Sequence, residues 1–363
     1  MELSLCMIVR NEEAVLARCL ACVLDVVDEI IIVDTGSTDR TKEVAWSYTH
    51  LIYDFPWIDD FAAARNYAFS KATKPYIMWL DADDVITPEG AQALKKLKET
   101  MQPDVDMVMM PYHVSFDSQE NPTFTYERER IIRRAAGYAW VGAIHEVIPP
   151  AGRIIHAQIP VLHKKIGPGE PDRNLRIFDK MIAKGKALCP REQYYYAREL
   201  MFHRRWSEAI ERFERYMEEG QGWLENVLSA CRDLADCYMA LGEKQKALNT
   251  LLKSFIYDAP RAETCCQIGK HFFEEGSYRT AAFWYELAAN NMLPRPTGGF
   301  IMPDSYDYIP YMQLCVCYHK LNDLQKSMEY NNLAGKLKPD DPSYLYNKAF
   351  FDSLVVEKEN TDQ

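Results

Sequence analysis

The sequence predicts two folds in tandem: an α/β domain built on a mostly parallel sheet, then an all-α array of repeated helix pairs. Two observations predict this. Between Leu3 and Tyr112, short apolar runs alternate with helical patterns in βαβ order, and the runs are apolar throughout, as in strands covered on both faces. In the second half, Tyr238, Gly242, Ala247 and Pro260 recur as Phe272, Gly276, Ala281 and Pro294, each 34 residues later.

Strands are expected at 3–9, 29–33, 50–53, 76–80 and 107–112, and helices at 14–24, 40–48, 61–71 and 88–100. Residues 116–161 read as shorter extended segments with Gly and Pro, an antiparallel extension of the sheet. Sites in parallel sheets lie beyond the carboxyl ends of the strands. Three polar clusters fall there: Asn11-Glu12-Glu13, Asp34-Thr35-Gly36-Ser37-Thr38-Asp39 and Asp81-Ala82-Asp83-Asp84.

A 34-residue helix-turn-helix unit with Gly closing the first helix, a small residue in the second and Pro after it is the tetratricopeptide pattern. A degenerate earlier copy spans 195–216 with Ala209 in the small position, and a later one spans 311–337 after a Pro- and Gly-rich insertion at 295–306. The expected organisation is an α/β domain at 1–170, a linker at 171–189, helical repeats at 190–356 and a polar tail at 357–363. Stacked repeats form a superhelix whose concave face would take an extended peptide, another protein or a second copy of the chain. Tyr194-Tyr195-Tyr196 and Trp284-Tyr285 suit either that face or the core.

Lys plus Arg number 42 against 53 Asp plus Glu, a net charge of −11, with no basic run to follow a phosphate backbone. Nucleic acid is therefore excluded as a partner. No apolar run reaches membrane-spanning length, and Met1-Glu2-Leu3-Ser4-Leu5 lacks the features of a signal peptide, so a soluble cytoplasmic protein is expected. The ten cysteines are scattered as in a reduced protein, and Cys19 and Cys22 fall in an amphipathic helix with no second pair at zinc-site spacing. Neither a Gly-x-Gly-x-x-Gly after the first strand nor a P-loop is present, which sets aside dinucleotide oxidoreductases and P-loop enzymes.

Ile77-Met78-Trp79-Leu80-Asp81-Ala82-Asp83-Asp84 is a strand ending in three carboxylates. On extended backbone Asp81 and Asp83 share one side and Asp84 takes the other. Two converging carboxylates call for a cation, Mn2+ or Mg2+, whose remaining positions suit a diphosphate ester.

Four motifs in order, Ile8-Val9-Arg10-Asn11-Glu12, Ile31-Ile32-Val33-Asp34-Thr35-Gly36-Ser37-Thr38-Asp39, Ala64-Arg65-Asn66 and Trp79 to Asp84, closely resemble glycosyltransferase family 2, enzymes of the GT-A fold with nucleotide-sugar donors. With its repeats the chain resembles the bacterial branch that includes peptide S-glycosyltransferases. The resemblance implies donor binding by Asn11, Glu12, Asp34, Gly36, Ser37, Asp39, Arg65, Asp81, Ala82 and Asp83. Asp34 or Glu12 would hold base or ribose, Gly36 would permit close approach, and the Ser37/Thr38 turn would open a helix with free N–H groups. Arg65 suits a diphosphate or an acidic partner such as Asp81. His163, ending the run Val161-Leu162-His163, resembles the late histidine that joins Asp81 and Asp83 at the metal in many GT-A enzymes.

Inverting transfer needs a general base, and Trp140-Val141-Gly142-Ala143-Ile144-His145-Glu146 stands where the family carries one, with His-Glu in place of the usual Glu-Asp. Either side chain could take the proton; Glu146 is favoured, with His145 in support. The implied reaction moves a hexose or N-acetylhexosamine, by default from UDP-glucose or UDP-N-acetylglucosamine, to a peptide or protein side chain bound by the repeats. The competing readings are an inactive repeat adaptor and a transferase acting on a glycan or lipid-linked acceptor.

Overall fold

The computed structural model describes residues 1–167, 169–292 and 298–361. The chain divides into one compact unit of residues 1–199 and a second containing most of the rest. The first is built on nine strands: β1 (Leu3–Val9), β2 (Glu29–Asp34), β3 (Ile52–Asp54), β4 (Tyr76–Trp79), β5 (Asp84–Val85), β6 (Met107–Phe116), β7 (Pro122–Arg133), β8 (Ile154–His156) and β9 (Val161–His163). Their order is β3-β2-β1-β4-β7-β6-β9-β5, with β8 also beside β6. The βαβ part, β3-β2-β1-β4, is wholly parallel. β7 then joins both β4 and β6 antiparallel, the extension expected after residue 116.

The apolar runs alternate between two cores. Leu3, Leu5 and Met7 of β1, Ile30 and Ile32 of β2, and Tyr76 and Met78 of β4 enter one, with Leu16, Cys19, Leu20 and Val23 of α1 (Leu16–Val23). Cys6, Ile31, Val33, Ile77 and Trp79 enter the other, with Ala62 and Ala68 of α3 (Phe61–Lys71). Each strand is thus buried on both sides. Between them in sequence lies α2 (Thr41–Trp46), and α4 (Pro88–Thr100) follows β5. Caps fix two of these helices: Asp60 accepts from the Ala63 N–H at α3, and Thr87 accepts from the Gly90 N–H at α4, ahead of Pro88.

The segment 171–189, expected as a linker in which helical periodicity resumes near Arg173, holds α5 (Arg173–Ala183), which buries Leu175, Ile177 and Phe178. It is followed by α6 (Pro190–Phe202), of which the part up to Glu199 falls in the first compact unit. The physical reason is the apolar face of α5, too large to leave in solvent. Tyr194, Tyr195 and Tyr196 are buried, as core residues are.

The second unit contains α7 (Trp206–Glu219), α8 (Leu224–Ala240), α9 (Lys244–Lys253), α10 (Ala262–Glu274), α11 (Tyr278–Ala289), α12 (Tyr308–Lys320), α13 (Leu324–Leu337) and α14 (Pro342–Thr361). The repeat is visible in the backbone. Arg204, Gly242, Gly276 and Asn322 take φ of 57°, 78°, 75° and 61°. The N–H after each donates to the carbonyl five residues before it, at 2.8–2.9 Å: Arg205 to Leu200, Glu243 to Tyr238, Ser277 to Phe272, Asp323 to Tyr318. That is the Schellman closure, for which Gly and Asn are the suited residues. Ala209, Ala247 and Ala281 are buried at the small position, and Ser327 occupies it in the last copy. Glu263 of α10 accepts from the Met302 N–H and the Tyr306 hydroxyl, tying the described part of the insertion down. Pro294 and Arg295 lie outside the described residues.

All ten cysteines are free thiols. No described helix is long and apolar enough to cross a membrane.

Candidate functional site

Two loops at the strand ends lock together. Asn11, at φ 55° after β1, donates its N–H to Ser37 Oγ at 3.0 Å and accepts from the Thr38 N–H at 2.8 Å. The Glu12 N–H donates to Thr41 Oγ1 at 2.7 Å, and the Glu13 N–H to Asp39 Oδ2 at 3.2 Å. Asp39 also accepts from Thr41 through Oδ1, so its role is to tie the loop. The N–H groups of Gly36 and Ser37 donate to Asp34 Oδ1 at 3.0 and 2.9 Å. The turn expected to offer free N–H groups therefore spends them internally, and α2 begins only at Thr41. Gly36 has φ 105°, with open space where a Cβ would stand, so conformation rather than crowding requires glycine.

Asp34 is 2% exposed, and its Oδ2 has no hydrogen-bond partner among the described residues. A buried carboxylate oxygen left in that state suits a ligand donor. Burial, then the charges of Asp83 and Asp81, push the Glu12 carboxyl up to about 7, which places the first and third polar clusters in one electrostatic field.

The aspartates do not divide as simple strand alternation predicted. β4 ends at Trp79, and a turn follows in which the Asp84 N–H donates to the Asp81 carbonyl at 3.0 Å while the Asp81 N–H donates to Asp84 Oδ2 at 2.9 Å. Asp81 still follows the face of Ile77 and Trp79, where α3 packs, and meets Arg65 at 2.7 Å. Burial opposes its ionisation, but Arg65 and then Arg130 outweigh that and hold its carboxyl down to about 2. The group with metal-ligand geometry is instead Asp83, Asp84 and His163, each offering one ligand atom within 4.8 Å of the others. Strand register brings them together, since Asp84 of β5 pairs with His163 of β9. Tyr112 of β6 donates its hydroxyl to Asp84 at 2.9 Å and lies 2.9 Å from His163 Nδ1. Burial disfavours the imidazolium, but Asp83 and Asp84 raise His163 to about 10, a measure of how much negative potential a cation would find there. Two carboxylates with an imidazole form a donor set that fits a divalent first-row ion.

Arg130 was not foreseen. The β6–β7 ladder passes from Val108↔Ile131 to Met109↔Glu129, leaving Arg130 as the extra residue of a β-bulge. Fully buried, it bonds Asp84 at 2.9 Å and lies 3.9 Å from the Trp79 ring centre. Beside it Arg128 holds buried Glu129, at 3.0 and 3.2 Å. The sequence signal was Glu127-Arg128-Glu129-Arg130, four charges inside a strand.

The motif Ala64-Arg65-Asn66 organises the loop after β7. Asn66 pairs with both backbone groups of Trp140, at 2.9 and 2.8 Å. Arg65, between the Trp79 and Trp140 rings at 4.9 and 4.8 Å, donates through Nε to Glu146 Oε1 at 2.6 Å. His145, adjacent to Glu146, bonds Glu199 through Nε2 at 2.8 Å. Ala82 is buried in the sheet core.

A two-faced sheet with an acidic rim beyond its parallel strand ends is the architecture of a nucleotide-binding α/β domain. Residues 4–156 match Glycosyl transferase family 2, and this part of the chain is a domain of that family. The chain is 35% identical over 160 residues to a TPR repeat-containing protein of Synechococcus elongatus, covering 44% of this chain and 38% of that one. It is 26% identical over 225 residues to the SPbeta prophage-derived glycosyltransferase SunS of Bacillus subtilis, covering 56% and 50%. It is 29% identical over 165 residues to the lipopolysaccharide core biosynthesis glycosyltransferase LpsC of Rhizobium meliloti, covering 43% and 60%. The chain thus spans only part of the length of these relatives.

Proposed function

We propose that the chain is a glycosyltransferase that moves a hexose or N-acetylhexosamine from a nucleotide sugar, by default a UDP-sugar, to a peptide or protein side chain with inversion. The observation that carries this is Glu146, held by Arg65, whose other donor holds Asp81 at the head of the turn that carries Asp83 and Asp84 of the Asp83–Asp84–His163 group. Asp34, through Oδ2, and Glu12 would receive the base or ribose. A divalent ion, Mn2+ or Mg2+, held by Asp83 and His163 with Asp84 would neutralise charge on the departing nucleoside diphosphate.

Glu146 Oε1 is anchored by Arg65, and Oε2 would take the acceptor proton. The acceptor oxygen or sulfur then bonds to the anomeric carbon from the face opposite the leaving group as the bond to phosphate breaks. The repeats supply the acceptor surface. The likeness to SunS supports transfer by a chain of this type, and the likeness to LpsC supports a second reading, a glycan acceptor.

The test is nucleoside diphosphate release from UDP-glucose and UDP-N-acetylglucosamine with Mn2+, with and without acceptor peptides containing Cys, Ser or Thr. Release that rises with a peptide and stops in EDTA is expected. Neither binding nor turnover of any nucleotide sugar would leave the repeats as the working part and sink the proposal.

A further inference from the structure

We propose that α5 and α6 are a positioning latch for the loop that carries Glu146, with Glu199 and Arg191 as its working contacts; this rests on the reading of Glu146 as the base. The loop is a closed hairpin in which Val141 and Val147 exchange two hydrogen bonds of 2.9 and 3.1 Å. Near its tip His145 has φ 51°, a left-handed conformation that a side chain of this kind adopts only at a cost. The conformation therefore needs holding from outside.

α3 and β7 hold part of the loop, through the Phe61 N–H on the Ala143 carbonyl at 2.8 Å and Arg128 on the Glu146 carbonyl at 3.3 Å, and α6 holds the turn at His145. Glu199 accepts from His145 Nε2 at 2.8 Å, the Tyr195 ring stacks on the imidazole at 4.2 Å and 12°, and Arg191 Nε donates to the His145 carbonyl at 3.0 Å. From α5, Asn174 donates to the same Glu199 oxygen at 3.0 Å, fixing the carboxylate itself. Because His145 and Glu146 are adjacent, the backbone turn at the first sets the direction in which the second leaves the loop. Arg65 then receives Glu146 at 2.6 Å. The latch lies beyond residue 156, where the family match ends. His145 is thus a positioning residue, acting through the backbone.

The experiment compares full-length wild type with Glu199→Ala, Glu199→Gln and Arg191→Met. It reads amide exchange, UDP affinity with Mn2+, and turnover of UDP-glucose and UDP-N-acetylglucosamine. Glu199→Ala should accelerate exchange across 141–147 by about 10- to 100-fold, the equivalent of one hydrogen bond to a charged group, and leave β4 protected. Its kcat should fall by about tenfold or more with donor KM and UDP affinity near wild type. Glu199→Gln, which keeps an acceptor oxygen, should restore loop protection and kcat. Unchanged loop exchange in Glu199→Ala, or no rescue by glutamine, overturns the latch. If Glu199→Ala loosens β4 as well, Arg191→Met decides by the same criteria. A wild type that turns over neither nucleotide sugar counts against the proposed function, while the exchange comparison still decides the latch.

Discussion

Arg65 has 9% of its side chain exposed and divides its guanidinium between Asp81 and Glu146. A planar fork with separate donors can do this, whereas a lysine ammonium is a single point of charge. Glu146→Gln should bind UDP-sugar and metal as wild type does, yet turn over about 100- to 10,000-fold more slowly. His145→Ala should cost less, because its ring serves the loop; near-normal turnover in the glutamine variant with collapse in His145→Ala would reverse the two roles. Asp83→Ala should remove metal-assisted UDP-sugar binding while leaving the melting temperature near wild type, because Asp83 is outside the buried Arg130–Asp84 pair. Binding that is equal in EDTA and Mn2+ would exclude the metal role.

Among the elements, β7 does what its sequence did not announce. Its bulge turns Arg130 onto Asp84, and both side chains are wholly buried. Removing one partner of such a pair costs about 3–5 kcal/mol, because the other charge stays behind unpaired. Arg130→Met should therefore destabilise strongly in urea titration, and adding Asp84→Asn should recover part of the loss. A strictly additive double variant would contradict coupling between them. In the repeats, Gly276 holds the α10–α11 turn at φ 75°, and Gly276→Ala should cost about 1–2 kcal/mol. The corresponding position after α12 already carries Asn322, so Asn322→Gly should be close to neutral by the same measurement.

For the molecule as a whole, the limits of the first unit matter most. A chain cut near Gly185 would lack α6 and with it Glu199, Tyr195 and Arg191, so its donor hydrolysis should be impaired if these residues position the loop of Glu146. A chain ending after Phe202 should hydrolyse UDP-sugar measurably better than one ending at Gly185, with both checked for folding by circular dichroism. Equal activity would show that residues 186–202 are dispensable to the donor site.

The sequence alone determined the order of the parallel strands β1 to β4 and the helices between them, the two-sided burial of those strands and the repeat at 34 residues, because each depends on spacing along one segment. It also placed Asn11, Asp34 and Asp83 at or just beyond the carboxyl ends of parallel strands, since chain order fixes which end of a parallel strand a loop follows. Tertiary structure alone decided that Asp84 rather than Asp81 joins Asp83 and His163, that Arg130 faces Asp84, and that His145 answers to Glu199. Those pairings join residues far apart in sequence through strand register, a bulge and a helix packed from beyond the family domain. None of these leaves a local period, so only the folded chain brings the partners together.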